Sequence, residues 1–427
     1  MIKFYIECGT TLNTKSKTGI QRVVREILKE TDKLQEKLSI EVIKVRLSGE
    51  RIIPIEKELL LKVNKPLKII FIDLIIIYIR KLANKKIIKS FEVSINTKII
   101  ITKILNWLVK IKESYETKII PSICDLKNSS NLEILLLLDS TWNKNIWKEI
   151  DKFREIGGHV CAVLYDLIPF THPETVDDLT RYRHTSWWIE APAHLNTIMC
   201  ISETVKKEYL QWQVSNNKKN QINEKNIGYF YLGADFQRND IVVNLVESKN
   251  YYLNVGTIEP RKNHEFLISV FEELWKENHD ISLVLVGVNG WKTESLVNKI
   301  NNHQELNKRL FHIKNATDQI LYMLYRDCYG LIIASKAEGF GLPIIEALIN
   351  NVEVLCSDIP VFREVGGEKV NYFELENTEK LKTLIINKMS IQRKVKNKEK
   401  IKKFEWINWN ESAEQLILSV LIMAKNK

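Results

Sequence analysis

Between Leu331 and Glu346 the chain passes from a short apolar run, Leu331-Ile332-Ile333-Ala334-Ser335, through Glu338-Gly339-Phe340-Gly341-Leu342-Pro343 into Ile344-Ile345-Glu346. A brief unbroken apolar run is what a parallel strand covered on both faces requires. Pro343 suits the first turn of a helix, where its missing N–H costs no hydrogen bond. Gly339 and Gly341 let the backbone take positive φ or lie against a ligand with no Cβ in the way. Strand, glycine turn and helix in that order commit the segment to an open α/β sheet. Glu338 and Glu346 then fall at the carboxyl edge of the sheet, where such folds bind ligands. The helix start offers free N–H groups and a positive dipole end to phosphate. Taken alone, Glu338 could equally be a solvated loop charge and Glu346 a favourable acid in a first helical turn.

A second strand-to-helix junction narrows the choice. Residues 251–256 read as another strand; Arg261 and Lys262 follow as adjacent cations, which in isolation could be ordinary loop charges, and Asn263 is placed to cap the next helix. Leu267, Val270, Phe271, Leu274 and Trp275 recur at helical spacing and define its buried face. The two cations therefore sit on the ligand edge, and together with the glutamate loop they point to phosphate.

Strand and helix patterns alternate along the whole chain, as in parallel α/β domains. The expected strands are 3–8, 40–47, 132–138, 159–165, 197–201 and 228–232 in the first half, then 251–256, 281–287, 311–313, 329–334 and 352–356. At 427 residues the chain exceeds a usual single core and divides into two domains of about 200 residues each. Residues 213–225 read as a polar surface loop and 235–248 as the interdomain connection.

A hydrophobic content of 45% with 27% charged residues is ordinary for a globular protein. The six cysteines form no Cys-x-x-Cys pair, and Cys161 and Cys200 lie in apolar runs where a reduced thiol behaves as a small hydrophobe. Lys3 and Glu7 interrupt what little apolar sequence opens the chain, so no signal peptide is expected and the cytoplasm is the expected compartment. The net charge of +10 is not spread as a nucleic-acid-binding surface would need, and no nucleic-acid partner is expected. Residues 61–120 alone hold 13 Lys or Arg against four Asp or Glu. Within them, 69–79 is apolar but contains Asp73 and is shorter than the roughly 20 residues that span a bilayer. Residues 65–115 are instead expected to lie on an anionic membrane surface, where each cation contributes about 1 kcal/mol. Helices packed on a domain, which also mix Ile and Lys, are the alternative.

The chain resembles a retaining family 4 (group 1) glycosyltransferase of the bacterial surface-polysaccharide type. The stretches that carry the resemblance are 256–267, Leu283-Val284-Leu285-Val286-Gly287 with Asn289-Gly290-Trp291, 324–348, and Ser357-Asp358 through Val361-Phe362-Arg363-Glu364-Val365-Gly366-Gly367. Weaker matches are Thr18-Gly19-Ile20-Gln21-Arg22 continuing to Leu28, Tyr165-Asp166-Leu167-Ile168-Pro169, and Ile201-Ser202-Glu203-Thr204. The resemblance implies a GT-B fold, two Rossmann-like parallel-sheet domains facing a cleft. An acceptor-binding domain would cover 1–240 and a nucleotide-sugar-binding domain 241–404, with 405–427 as a helix crossing back to the first.

It also implies transfer of a sugar from a nucleotide-sugar donor to a glycan or lipid-linked acceptor. GDP-mannose is the preferred donor, with UDP- and TDP-sugars left open. Glu338, Arg261, Lys262 and Asp166 would be catalytic, Glu338 bonding the donor sugar. Glu346 would hold the ribose hydroxyls, and the backbone of Gly339, Phe340, Gly341 and Leu342 the sugar or phosphates. Gly19 would approach the diphosphate, and His172 would assist Asp166 in orienting hydroxyl groups. No cofactor and no metal are expected. The chain has no Asp-x-Asp motif, and Arg261, Lys262 and the helix start after Gly341 can offset the charge of the leaving diphosphate by preorganisation.

Three departures stand out: Thr257 where many relatives carry Arg, Tyr165-Asp166 in place of a His-Asp pair, and Asn350-Asn351-Val352-Glu353-Val354 in place of a stretch with Gly and Pro. A non-hydrolysing nucleotide-sugar epimerase of similar fold and a catalytically silent binding protein are the rival readings. A hydride-transfer enzyme is disfavoured, because no Gly-x-Gly-x-x-Gly follows an expected strand.

Overall fold

A computed structural model describes residues 2–14, 19–56, 72, 75, 76, 79, 103, 104, 107, 108, 111, 121–127, 131–143, 145–216, 221–235, 250–375, 377–394 and 404–426. The chain forms two compact units, Met1–Ser16 with Gln35–Cys161, and Lys17–Leu34 with Ala162–Lys427.

In the first unit β1 (Ile2–Glu7) lies parallel between β2 (Ile40–Ser48) and β4 (Glu133–Leu137), with Phe4 beside Val42 on one side and Ile134 on the other. β4 is buried at every position, as its unbroken Ile-Leu-Leu-Leu run requires. Glu133 tolerates that burial because the Tyr5 hydroxyl donates to its carboxylate at 3.1 Å. β3 (Arg51–Pro54) turns back antiparallel on β2 through Gly49 at φ 60. This edge strand departs from the expected all-parallel pairing; a two-residue hairpin needs positive φ, which glycine supplies at little cost. β5 (His159–Leu164) begins in this unit and ends in the second. Of the basic insertion expected at 65–115, isolated positions alone are described; Ile72, Ile76 and Leu108 form a small apolar cluster with Ile75, Ile79 and Ile111, while Ile104 and Trp107 are exposed. The rest of that insertion lies outside the described residues.

In the second unit β6 (Thr197–Cys200) and β7 (Ile227–Tyr229) pair in parallel. A six-stranded sheet then contains β8 (Tyr251–Val255), β9 (Ser282–Val286), β10 (Leu310–Ile313), β11 (Gly330–Ile333), β12 (Glu353–Ser357) and β13 (Asn371–Phe373), in the order β10-β9-β8-β11-β12-β13. Every neighbouring pair in it is parallel. The expected face of the helix His264–Lys276 is the buried one: Leu267, Val270, Phe271, Leu274 and Trp275 pack on Leu283, Leu285 and Ile332. The order reverses between β8 and β11, so a crevice at their carboxyl ends is the topological switch point. That is where Gly256 and the glutamate loop leave the sheet.

Three local expectations are corrected. Asn263 stands at the cap position but is left-handed at φ 54 and makes no side-chain cap bond. Gln213 belongs to the helix Glu203–Asn216 and is buried, its amide bonding both the N–H and the carbonyl of Ile222, so it is no part of a surface loop. β13, three residues long and half polar, had no apolar run to announce it. Of the expected connection 235–248, Asp235 alone falls within the described residues.

Candidate active site

The site is built from the second unit. Gly256 turns out of β8 at φ 156 with the Lys262 side chain beside it, and Pro260 starts a short 3₁₀ turn that presents Arg261 and Lys262 together. The Arg261 carbonyl accepts from Lys336 N at 2.8 Å, which ties this turn to the loop after β11. The two junctions are thereby joined by main chain before any side chain is considered.

Glu338 lies between the cations. Arg261 Nη1 donates to Oε2 at 2.6 Å, Lys262 Nζ contacts Oε1, and Ser335 Oγ donates to Oε1 at 2.7 Å. Arg261 also donates through Nε to Glu259 at 2.9 Å. The side chains of Arg261, Lys262 and Glu338 are only 18%, 13% and 10% exposed. Burial alone would raise the Glu338 carboxyl; the Arg261 and Lys262 charges, with hydrogen bonds from Lys262 and Ser335, overcome it and hold the group at about 2. Burial pulls Lys262 down from its ordinary value, and Glu338 only partly restores it.

Asp166 joins this cluster. Its carboxylate accepts from Ile168 N at 3.0 Å and feels both Arg261 and Glu338; burial raises its pKa, and Arg261 opposes the rise. The contact depends on Gly339, where a Cβ would run into the Tyr165 carbonyl oxygen and crowd Asp166. The Gly339 carbonyl accepts from Ser202 Oγ at 2.9 Å, and Glu364 accepts from Glu203 N and Thr204 N, both at 2.7 Å, capping the helix Glu203–Asn216 from a distance. Nearby Glu208 is pushed up to about 7, by burial and then by the charges of Asp166 and Glu364.

Gly341 stands before the helix Leu342–Ile349 at φ 114, with Pro343 in its first turn as expected. Phe340 is 3% exposed and turns its ring onto Tyr231 and Trp406, so its main chain alone is free to serve a ligand. Glu346 lies one turn into the helix and is 1% exposed; Arg22 Nη1 contacts Oε1 and the Tyr325 hydroxyl donates to Oε2 at 2.9 Å. Gly19 begins the helix Gly19–Leu38, with open space around it. The His172 ring bonds its neighbour Thr171 at 2.9 Å, and its main chain bonds Ile168 and Thr175. Sequence reasoning missed Arg22, Ser202, Glu259, Ser335 and Tyr325. Arg22 and Ser202 fall within stretches carrying the weaker resemblance, and a cation in a first helical turn was a usable signal; Glu259, Ser335 and Tyr325 fall within the stretches carrying the main resemblance, 256–267 and 324–348, but no local pattern singled them out there.

Parallel α/β sheets with ligand-edge charges at a switch point define an open doubly wound fold, and its likeness over the whole chain to the solved structure of Anabaena Alr3699/HepE puts it in the GT-B class. Residues 235–404 match the family model of the glycosyl transferases group 1. The chain is 31% identical over 289 residues to the serotype-specific mannosyltransferase WbdA of Escherichia coli, covering 65% of this chain and 35% of that protein. It is 26% identical over 206 residues to the O-antigen chain mannosyltransferase RfbU of Salmonella typhimurium, covering 47% of this chain and 53% of the relative. The chain thus spans little more than a third of the length of the WbdA proteins it matches. Among solved structures, Anabaena Alr3699/HepE in complex with UDP aligns over 100% of this chain and 98% of its own, with a TM-score of 0.52 at 12% identity. The trehalose 6-phosphate synthase of Burkholderia multivorans aligns over 71% of this chain and 74% of its own, with a TM-score of 0.52 at 10% identity. Among the described residues no helix is long and apolar enough to cross a membrane.

Proposed function

We propose that the chain is a retaining glycosyltransferase that moves a hexose from a nucleotide-sugar donor to a glycan or lipid-linked acceptor in surface-polysaccharide synthesis. The observation that carries this reading is Glu338, held ionised by Arg261 and Lys262 at the switch point and walled by glycines. In the reaction the bond between the anomeric carbon and the donor phosphate breaks, and the acceptor oxygen bonds to that carbon on the same face. The acceptor proton passes to a donor phosphate oxygen. Negative charge grows on the leaving diphosphate while the sugar carbon becomes cation-like. Arg261 and Lys262 are placed to offset the first, and the Glu338 carboxylate to bond the sugar. Each charge-assisted hydrogen bond contributes about 1.5 to 3 kcal/mol, or roughly ten- to a hundredfold in rate if it is made in the transition state. Asp166, beside this cluster, orients hydroxyl groups; Gly339, Gly341, Leu342 and the Phe340 main chain line the donor, with Glu346 on its ribose and Gly19 near its diphosphate.

Mannose on GDP is the preferred donor; the mannose is supported by the relatives WbdA and RfbU, which are mannosyltransferases. We assign acceptor binding to 1–240, the donor to 241–404, and a bridging role to 405–427. Residues 65–115 would hold the protein on an anionic membrane surface at the cytoplasmic face. Transfer of labelled mannose from GDP-mannose to an added acceptor, with the anomeric configuration read by NMR, tests the reaction. Isomerised free donor without transfer would favour an epimerase. Activity is expected to survive EDTA; loss restored by Mg²⁺ or Mn²⁺ refutes the electrostatic assignment. Liposome co-sedimentation of the full chain against one lacking 65–115 tests the surface, and equal binding refutes it.

A further inference from the structure

Glu346 leaves a problem open. Its carboxylate is 1% exposed, with Arg22 on one oxygen and the Tyr325 hydroxyl on the other. The carboxylate has lone pairs to spare, but at 1% exposure a ribose diol reaches those oxygens only when a side chain covering them moves. Tyr325 is fully buried in the helix Asp318–Asp327, whereas 26% of the Arg22 side chain is open to solvent. Arg22 is also poorly placed for the helix that carries it. It lies in the first turn of Gly19–Leu38, where the positive end of the dipole repels a cation, and no acidic residue in that turn offsets it. The guanidinium is held there by Glu346, from another helix of the same unit, with Asp318 adding a second negative neighbour.

We propose that Arg22 is a donor-binding residue that stands in for the ligand: its guanidinium occupies the Glu346 carboxylate until a nucleotide's ribose diol replaces it, and then turns to that nucleotide's phosphates. The proposal rests on the reading of Glu346 as the ribose-binding carboxylate. Charge pairing is conserved through the exchange. Before binding, the cation faces the carboxylate. Afterwards the carboxylate accepts two ribose O–H donors besides Tyr325, and the guanidinium faces phosphate oxygens, for which its planar fork is suited. A ligand with a diol and no phosphate breaks the ion pair and gives Arg22 nothing in return. The chain therefore separates nucleoside diphosphates from nucleosides by more than the attraction of Arg261 and Lys262 for phosphate.

Affinities of GDP, UDP and TDP by calorimetry, and of guanosine, uridine and thymidine by ligand-observed NMR, test this on the full chain and on Arg22→Ala. For the base that binds, Arg22→Ala is expected to weaken the diphosphate about 10-fold and to tighten the nucleoside about 5-fold. A purely structural role moves both in one direction. Weakening of both ligands, or an unchanged nucleoside, overturns the exchange and leaves the donor reading standing. If the wild-type chain binds none of the diphosphates, both fall. Should circular dichroism show that Arg22→Ala is unfolded, Arg22→Gln, which keeps a donor for Glu346, carries the same opposite signs at smaller amplitude.

Discussion

Glu338 and Glu346 stand eight residues apart on one loop and helix, yet their surroundings assign them different work. Glu338 meets two cations from a single turn, Arg261 and Lys262, and keeps 10% of its side chain open at the carboxyl edge of the sheet. Glu346 is sealed, with one cation drawn from the helix Gly19–Leu38 and one buried phenol. Two local cations make a fixed positive cluster ready for phosphate and sugar. A single cation borrowed from elsewhere makes a partner that a ligand can replace. Proximity in sequence therefore says little about the role of a carboxylate; the source and number of its counter-charges say more.

The sharpest break of that contrast comes from Glu338→Gln. It is expected to lower kcat by about 10²- to 10³-fold, as loss of a group acting on the transition state does, and to cost about 3 kcal/mol of stability by leaving buried cations uncompensated. A kcat within threefold of wild type in the transfer assay would remove Glu338 from the chemistry. Lys262→Ala follows, with kcat down about 10- to 100-fold. Glu346→Gln should separate from both by raising the donor KM about 10-fold with kcat nearly unchanged; equal losses in kcat at the two glutamates would erase the distinction.

Gly339→Ala tests what brings Asp166 to the cluster. A Cβ against the Tyr165 carbonyl is expected to cost about 1 to 3 kcal/mol, seen in denaturant unfolding, with kcat falling as well; a variant as stable and active as wild type contradicts the close approach. The smallest effect belongs to Glu208. Its carboxyl is raised from 4.5 to about 7 in the folded chain, so between those values the folded state holds a proton that the unfolded state has released. Stability from this group is thus full below about pH 4.5 and falls as pH rises through 7. Glu208→Gln should raise Tm by about 2 °C at pH 8 relative to wild type and leave it unchanged at pH 5.

Local pattern was enough to locate the strand–turn–helix junctions at 251–264 and 331–346, because apolar runs, glycines and a helix-starting proline are local signals that tertiary context seldom reverses. It also determined the buried face of the helix His264–Lys276 and the meeting of Arg261 and Lys262 with Glu338, since parallel strands on either side of a switch point deliver their carboxyl ends to one place. The folded chain alone shows that Arg22 covers Glu346, that Gly339 lies against Tyr165, and that Glu364 caps a helix from about 160 residues away. Those contacts join segments far apart in the chain. Their partners are chosen by packing and by the need to neutralise buried charge, and no local pattern encodes which distant group will answer it.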